Sequence, residues 1–336
     1  MRAGVGGRRG HAGGQSTRTG PVVLPARGAY GRVMDRITPA LCLLLAACAS
    51  PPVEGPVETV SLLGDELHRP PVREQARLRH EAELDAALLR WAEAGAEDDA
   101  IWVGRQLAYL GRYGEAVGWY GSRMTNFPES ARLYRHRGHR LITLRRFEAA
   151  IEDLEYAWEL CKDQPDEVER DGLPNAAGIP LSSLHTNVLY HLALARFLTD
   201  DLEGARKAWA EGLARSTNDD MRVANANWLV LTLRRMGRDG EAREVLEDID
   251  LEAELIENGD YLTLLRLHAG LVSPGSLDQS RDGEVADATL GFGLGAYLSL
   301  EDRTAEGQRI LWGVVEATPW ASFGHIAAEA DLARRN

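Results

Sequence analysis

The sequence predicts an all-α protein, a solenoid of helical hairpins that winds as a right-handed superhelix between two capping helices. Two stretches superimpose when one is shifted by 34 residues, which places Gly104 on Gly138 and Tyr113 on Phe147. The same register aligns further small and apolar residues, namely Ala116 with Ala150 and Tyr120 with Leu154, then Ala193, Leu202, Ala205 and Trp209 in a third unit. A period of this length is typical of helix–turn–helix repeats that stack on one another. The apolar content of 44% is sufficient for a continuous core between such helices.

The chain is strongly acidic, with a formal net charge of −13. Residues 1–47 hold seven arginines and one aspartate, so the remainder carries a net charge of −19. Such a charge disfavours nonspecific binding to nucleic acid, which we therefore do not expect as a partner. It also opposes binding to anionic lipid, so attachment to a membrane requires a separate device.

The N-terminal region supplies a device of this kind. Residues 34–47 hold a short basic segment and an apolar run that ends in small residues, as a secretory signal peptide does. The run is far shorter than the ~20 residues that span a bilayer. Its end, Leu45-Ala46-Ala47-Cys48, resembles a bacterial lipobox. The resemblance implies cleavage before Cys48, lipidation of its thiol, and a periplasm-facing anchor in the cell envelope.

The segments on either side of the signal have different compositions. Residues 1–33 are rich in glycine and arginine without apolar periodicity, so we interpret them as a disordered extension of the gene model, with translation starting at or near Met34. Residues 48–72 begin with the lipidated cysteine and a proline-rich run, which predicts a tether. Ala49 is not acidic, which favours the outer membrane over the inner one. The alternative for Cys48 is a buried thiol in an apolar helix.

The body of the protein, residues 73–335, begins with a predicted capping helix over 73–94, in which several leucines lie on one side. Small residues at Gly138 and Ala150 predict close contact between the two helices of a hairpin, because a larger side chain would separate them. The remaining predicted units are repeats at 97–130, 131–162, 186–217 and 221–249, a degenerate repeat at 251–281, a last repeat at 288–319, and a final capping helix at 321–335.

An insert at residues 163–181 breaks the 34-residue period between the second and third repeats. It contains Pro165, Gly172, Pro174, Gly178 and Pro180. Prolines and glycines at this density do not continue a helix, so the sequence predicts a loop.

The repeats of this body resemble those of the tetratricopeptide-repeat (TPR) superfamily. Three segments, at 107–113, around 171–175 and at 231–237, further resemble a group of uncharacterised bacterial repeat proteins. The resemblance supports the solenoid fold, which is typical of binding scaffolds, and the bacterial group adds no function to it. We expect no cofactor.

The first helix of each predicted hairpin supplies candidate ligand-binding residues for a concave groove. They are Arg105, Tyr109, Arg132, Arg135, His139, Asn187, Tyr190, Asn227, Arg234 and Arg235, with Leu194 at an equivalent offset. Arginine forks suit carboxylates and aromatic rings can stack on ligands, so we expect an acidic or carboxylate-bearing peptide partner. The alternative is that these arginines pair with neighbouring acids on solvated helix faces.

Motifs for catalysis and metal binding are not found in the sequence. Residues 291–295 superficially resemble a dinucleotide loop but fall within a repeat helix and follow no strand. His325 and Glu329 have i, i+4 spacing without a third ligand, and other histidine pairs have poor spacing or basic neighbours. Cys161 is the one thiol left after processing and is predicted to be a small buried residue. We expect a protein that is not an enzyme and that holds no metal.

These observations predict a membrane-anchored scaffold that binds other envelope proteins through its concave groove. The alternative is a solute- or glycan-binding lipoprotein that uses a pocket formed by the 163–181 insert against the second and third repeats.

Overall fold

The computed structural model describes residues 55–170, 173–277 and 285–335. Residues 1–54, which include the predicted signal, Cys48 and the start of the tether, lie outside this part. Within it the chain forms a β-hairpin, followed by helices with the following bounds: β1 Val57–Val60, β2 Glu66–His68, α1 Glu74–Ala94, α2 Glu97–Tyr109, α3 Tyr113–Arg123, α4 Ala131–Thr143, α5 Phe147–Cys161, α6 Leu184–Leu198, α7 Leu202–Arg215, α8 Asp219–Arg235, α9 Asp239–Glu247, α10 Gly259–His268, α11 Pro274–Leu277, α12 Val285–Leu300, α13 Thr304–Ala317 and α14 Phe323–Ala333.

The helices pack as successive hairpins. Each helix from α1 to α8 contacts the next one in the chain, and the first helices of successive hairpins, α2, α4, α6, α8 and α10, also contact one another in series. These first helices form an inner layer, with the second helices outside it. This arrangement confirms the predicted all-α array of TPR-type hairpins. No helix in the described ranges is long and apolar enough to cross a bilayer.

The hairpins are held together where a glycine on one helix faces a bulky residue on the next. A Cβ atom at Gly138 of α4 would lie 2.7 Å from Leu154 Cγ of α5, and one at Gly104 of α2 would collide with the Tyr120 ring of α3. Leu154 and Tyr120 are both buried in the core. The aligned glycines of the 34-residue repeat are therefore positions of close helix contact.

A Gly138→Ala substitution is expected to lower the free energy of unfolding by about 1–3 kcal/mol, because Leu154 has no free space to move into. Urea denaturation measures the change. Gly118→Ala is the matched control, since a Cβ atom there meets nothing within 4 Å. Alanine is a better helix former than glycine, so the control is expected to be neutral or stabilising by up to about 1 kcal/mol. Equal behaviour of the two variants would contradict the close contact.

The predicted tether is wrong for residues 57–68, which form an antiparallel hairpin with register Val57↔His68 and Val60↔Glu66. Gly64 turns the chain with φ +98°. The hairpin packs on distant elements, because Thr59 Oγ1 donates to Leu144 O and Trp320 Nε1 donates to His68 O. The prolines before this segment favoured an extended tether in the sequence, whereas long-range hydrogen bonds order it in the fold.

The final helix, α14, is more than the predicted end cap. Every residue from 324 to 332 is buried, and α14 contacts α6, α12 and α13. Arg334 Nη2 donates to Phe197 O and Leu198 O at the end of α6, 2.9 Å from each. A helix that is buried on all sides lies within a protein and not on its edge. The C-terminal helix therefore packs among the helices of the array, which a periodic repeat pattern does not predict.

Candidate anion-binding pocket

A cavity of about 360 Å³ lies against the inner layer of the array. Helices α2, α4, α6, α8 and α10 contribute side chains to it, and Phe323 at the start of α14 lies at its edge. Its basic lining residues are Arg105, His136, Arg135, His139, Arg140 and His191. A basic cavity is unexpected in a protein with a net charge of −13, and we call it the anion pocket.

The sequence of α4 explains how one helix delivers four basic groups to the anion pocket. Ser130 caps the helix by accepting a hydrogen bond from Leu133 N at 3.0 Å. One and a half turns on, residues 135, 136, 139 and 140 share the pocket side by i, i+4 spacing. Arg137 points elsewhere and forms a two-bond ion pair with Asp153 of α5, at 2.6 and 2.7 Å.

A capping box positions the facing side chains of α6. The Ser183 side chain accepts from Thr186 N and the Thr186 side chain accepts from Ser183 N, which fixes the first turn of the helix. Asn187 and His191 follow with i, i+4 spacing, and both line the anion pocket. The box comes directly after the 163–181 insert, and Leu184 N at the start of α6 donates to Glu167 O of the insert at 2.8 Å.

The insert places one carboxylate against three lining residues of the anion pocket. Glu169 is 8% exposed and accepts hydrogen bonds from Arg135 Nη2 and Asn187 Nδ2, each at 2.5 Å. Its second oxygen lies 3.6 Å from His136 Nε2. We call Arg135, His136 and Asn187 the carboxylate cradle. Charged hydrogen bonds of this kind are the strong ones, so the cradle is built to hold a carboxylate.

Two further arginines of the anion pocket have no carboxylate partner in the described part of the chain. Arg105 donates to the backbone oxygen of Arg170 at 2.7 Å and lies over the Trp102 ring. The Arg140 guanidinium contacts His139 Nε2 and lies 5.8 Å from the centre of the Tyr113 ring. Burial lowers the pKa of Arg140, and the nearby charge of Arg135 lowers it further. Glu257 also lines the cavity, so three arginines stand against two acids, Glu169 and Glu257, and the balance of charge is positive.

Polar atoms inside the anion pocket also lack partners. Arg135 is 9% exposed and His136 is 5% exposed, yet Arg135 Nε and His136 Nε2 are buried without a hydrogen bond. Most buried polar groups of native proteins have a partner, because leaving one unpaired costs about 1–3 kcal/mol. Unpaired donors beside a basic cavity indicate a site for a ligand with oxygen acceptors.

The three histidines of the anion pocket are neutral near pH 7. Burial, followed by the surrounding arginines, lowers the pKa of His136 and His139 well below the usual value. Burial and Arg135 lower the pKa of His191 to about 3. The His139 and His191 rings lie 4.3 Å apart. No group of three His, Cys, Asp or Glu side chains in the described residues is placed to hold a metal ion.

Part of the lining of the anion pocket is aromatic. The Tyr190 and Tyr261 hydroxyls lie 2.8 Å apart, and Trp228 Nε1 donates to Tyr190 Oη at 3.0 Å. Phe323 packs against His139 and its ring centroid lies 5.1 Å away. This aromatic part offers apolar surface to a ligand whose charged group lies at the arginines.

The structure brings together six of the ten predicted groove residues. The residues that line the anion pocket are Arg105, Tyr109, Arg135, His139, Asn187 and Tyr190. Arg135 lines this cavity but is buried and paired with Glu169, so its role in binding a ligand stays a prediction. Leu194 is fully buried in the core and is not a groove residue.

The other four predicted residues lie outside the anion pocket. Arg132 pairs with Asp98 at 2.5 Å, Arg234 pairs with Glu301 at 2.7 Å, and Arg235 pairs with Asp331 of α14. Asn227 is 4% exposed. For these arginines the alternative of pairing with neighbouring acids fits the structure.

The predicted groove residues do not include five residues that lie at the site, namely Arg140, His136, His191, Glu169 and Phe323. The i, i+4 relation of Arg140 to His136 is a signal that points to one helix face. Glu169 and Phe323 carry no comparable signal, because a loop and a distant helix bring them to the site.

Comparisons with known proteins find no matching family model and no matching curated protein. Among solved structures, the chain is similar to YrrB, described as a TPR protein with an unusual peptide-binding site, with 13% identity over 71% of this chain and 96% of that one, and a TM-score of 0.40. It is also similar to the structure of Naa15/Naa10 bound to HypK-THB, with 15% identity over 72% of this chain and 38% of that one, and a TM-score of 0.35. Likenesses this distant carry no information on function.

Proposed function

We propose that this protein is a binding scaffold whose anion pocket takes a carboxylate-bearing segment of a protein partner. The observation that carries the proposal is the convergence of Arg105, Arg135 and Arg140 on one cavity, where only Arg135 has a carboxylate partner among the described residues. A guanidinium matches a carboxylate with two parallel hydrogen bonds. The negative charge of the body elsewhere restricts an acidic partner to this site.

The size of the anion pocket limits what enters it. A cavity of about 360 Å³ is at the lower end of the range for ligand sites. It accommodates one or two side chains or a chain terminus, and not a whole helix. The rest of a partner then lies outside the cavity, against the neighbouring helices.

A second candidate function is the binding of a small acidic solute or glycan, and the cover formed by the insert favours it. Arg105 Nη1 donates to Arg170 O on one side, and Asn175 Nδ2 donates to Glu257 Oε1 at 2.8 Å on the other. These bonds connect the insert to α2 and to the loop before α10. Deleting residues 173–181 is expected to abolish stabilisation by a small ligand while leaving recovery of a protein partner unchanged.

We also propose that Cys48 anchors the protein in the bacterial cell envelope, facing the periplasm and with the outer membrane as the preferred location. The lipobox-like sequence before Cys48 supports this anchor. Crosslinking and affinity purification from native membranes, read by mass spectrometry, tests it against a Cys48→Ala variant. Recovery of the variant in the soluble fraction supports the anchor, and equal membrane association of both forms contradicts it.

Arg140→Met is expected to weaken recovery of the partner more than tenfold without lowering the stability of the fold. Arg140 has no carboxylate partner within the described residues, so removing its partly buried charge relieves a desolvation penalty. A charged hydrogen bond to a ligand is worth about 1.5–3 kcal/mol, which corresponds to this loss of affinity. The measurement is quantitative mass spectrometry of crosslinked partners, with urea denaturation as the stability check.

Arg146→Met is the matched control for this prediction. Arg146 also lies near the α4–α5 turn, but its side chain is exposed and does not line the anion pocket. Partner recovery with the control is expected to equal that of the wild type. If Arg140→Met recovers as much partner as the control does, the anion pocket is not the binding site.

A further inference from the structure

Glu169 occupies the carboxylate cradle in the way a ligand would. Its carboxylate receives hydrogen bonds from Arg135 and Asn187 at 2.5 Å, and His136 Nε2 faces its other oxygen at 3.6 Å. Arg135 Nη1 lies 2.9 Å from His136 Nδ1. If the arginine donates to that nitrogen, the proton of the neutral ring is on Nε2, the atom that faces Glu169. Arg135 Nη2, Asn187 Nδ2 and His136 Nε2 thus all face one carboxylate.

The segment that presents Glu169 is extended and pairs with the start of α6 over a short stretch, and Arg170 at its end lies over the Trp102 ring. Val168 forms an isolated antiparallel bridge with Ser183, and two backbone hydrogen bonds join this segment to the start of α6, from Glu169 N to Ser182 O at 3.1 Å and from Leu184 N to Glu167 O at 2.8 Å. The neighbouring side chains are in solvent, since Val168 is 68% exposed. Glu169 is therefore the one buried side chain between residues 162 and 170.

These features resemble a short acidic peptide that has bound by adding a strand. Backbone bonds to 182–184 supply general affinity, and one glutamate in a matching cradle supplies specificity. Two further hydrogen bonds flank this segment. Arg105 Nη1 donates to Arg170 O, and Asp166 Oδ1 accepts from His185 N. Nothing in this geometry requires that the peptide belong to the same chain.

We infer that residues 167–170 act as an internal ligand, and that the natural partner is an extended segment that places a glutamate in the carboxylate cradle in their stead. The inference rests on the proposed function and specifies the partner's chemistry. In the exchange the partner's carboxylate replaces that of Glu169, so the net charge in the cradle is unchanged. The Glu169 side chain then becomes exposed to solvent. The backbone groups of 182–184 become available to the incoming strand.

Competition of this kind sets the affinity of the site. A partner binds only the fraction of molecules in which residues 167–170 have left the cradle, so the apparent dissociation constant rises by the inverse of that fraction. Removing the charge of Glu169 weakens the internal ligand and leaves Arg135 free for an external one. The affinity for a glutamate peptide then increases, whereas a purely structural ion pair would give no increase.

The experiment compares Glu169→Gln with Glu167→Gln as matched control, since Glu167 is exposed and its side chain is outside the cradle. The probe is a blocked alanine–glutamate–alanine tripeptide, and the same tripeptide with glutamine is the neutral probe. Isothermal titration calorimetry is expected to show at least tenfold tighter binding of the glutamate probe to Glu169→Gln than to the wild type. The control variant is expected to match the wild type, and the neutral probe to bind none of them.

A second measurement on the wild-type protein does not depend on how a variant folds. Saturating glutamate probe is expected to accelerate hydrogen exchange of the amides of residues 167–170, because their segment leaves α6 when the probe binds. Unchanged exchange, or equal affinity of Glu169→Gln and the wild type, would overturn the inference. If the internal-ligand inference fails in this way but Arg140→Met still loses the partner, the proposed function stands. If Arg140→Met also recovers the partner normally, the inference and the proposed function both fail.

Discussion

Replacing Glu329 with alanine is expected to lower the free energy of unfolding by about 3–5 kcal/mol. Glu329 of α14 is fully buried and accepts hydrogen bonds from Arg145 Nη2 at 2.6 Å and from Leu62 N at 2.5 Å. The Arg145 side chain is 3% exposed. Alanine leaves this cation buried without its counter-charge, and the loss of one partner of a buried pair is among the most destabilising substitutions. Urea denaturation gives the change directly.

Two comparisons identify the cause of this loss. Glu316→Ala removes an exposed glutamate from α13, and it is expected to change stability by less than about 0.5 kcal/mol. A double variant, Arg145→Met with Glu329→Leu, is expected to recover much of the loss, since no charge remains buried. A loss of under about 1 kcal/mol in Glu329→Ala would show that Arg145 reaches water, contrary to the contacts between the β-hairpin, the α4–α5 turn and α14.

Lowering the pH from 7 to 5 is expected to destabilise the fold by several kcal/mol. His136, His191 and His325 are at most 5% exposed. Burial is the first cause that lowers their pKa values, to about 3 for His191 and about 4 for His325, and well below the usual 6.5 for His136. The three histidines of the unfolded chain therefore take up protons near pH 6.5, whereas in the folded protein they stay neutral. Each histidine contributes about 1–2 kcal/mol of lost stability over this interval.

The direction and the window of this pH effect follow from the lowered pKa values. The free energy of unfolding is not reduced by these histidines above pH 6.5. It falls progressively as the pH drops towards 4, because protonation of the histidines then favours the unfolded state. Denaturation curves at pH 7, 6 and 5 measure the slope. His191→Gln is expected to reduce the slope by about one proton, since glutamine does not titrate. A stability that is constant between pH 7 and 5 would mean that these rings take up protons as readily in the folded protein as in the unfolded chain.

The repeat pattern predicted the hairpins and their contacts well. The aligned positions Gly104 and Gly138 are places where helices touch, and Ala150 is fully buried. Such contacts recur at a fixed spacing because each repeat packs against its neighbour in the same way. The insert was likewise predicted as a loop from its prolines and glycines, since these residues restrict the backbone locally.

The pocket was predicted only in part, and the reason is physical. Arg105, Arg135 and Asn187 were found because a helical period of 3.6 residues assigns side chains to faces. The same reasoning did not reveal that Glu169 fills the cradle, or that Phe323 borders the cavity. Those residues reach the site through a loop and through a helix from the end of the chain, and their contacts have no fixed sequence spacing.

The sequence by itself determined the all-helical hairpin array, the close-packed glycine positions and a set of basic residues on the first helices of the repeats. These depend on interactions between residues that are near in sequence or that repeat at a fixed period. Only the tertiary structure decided which arginines are paired, that residues 57–68 form a hairpin, and that α14 packs inside the array. Each of these rests on contacts between segments that are distant in sequence, such as Arg145 with Glu329. A pair of charges stabilises the fold strongly, or forms a binding site, only when burial excludes water from it.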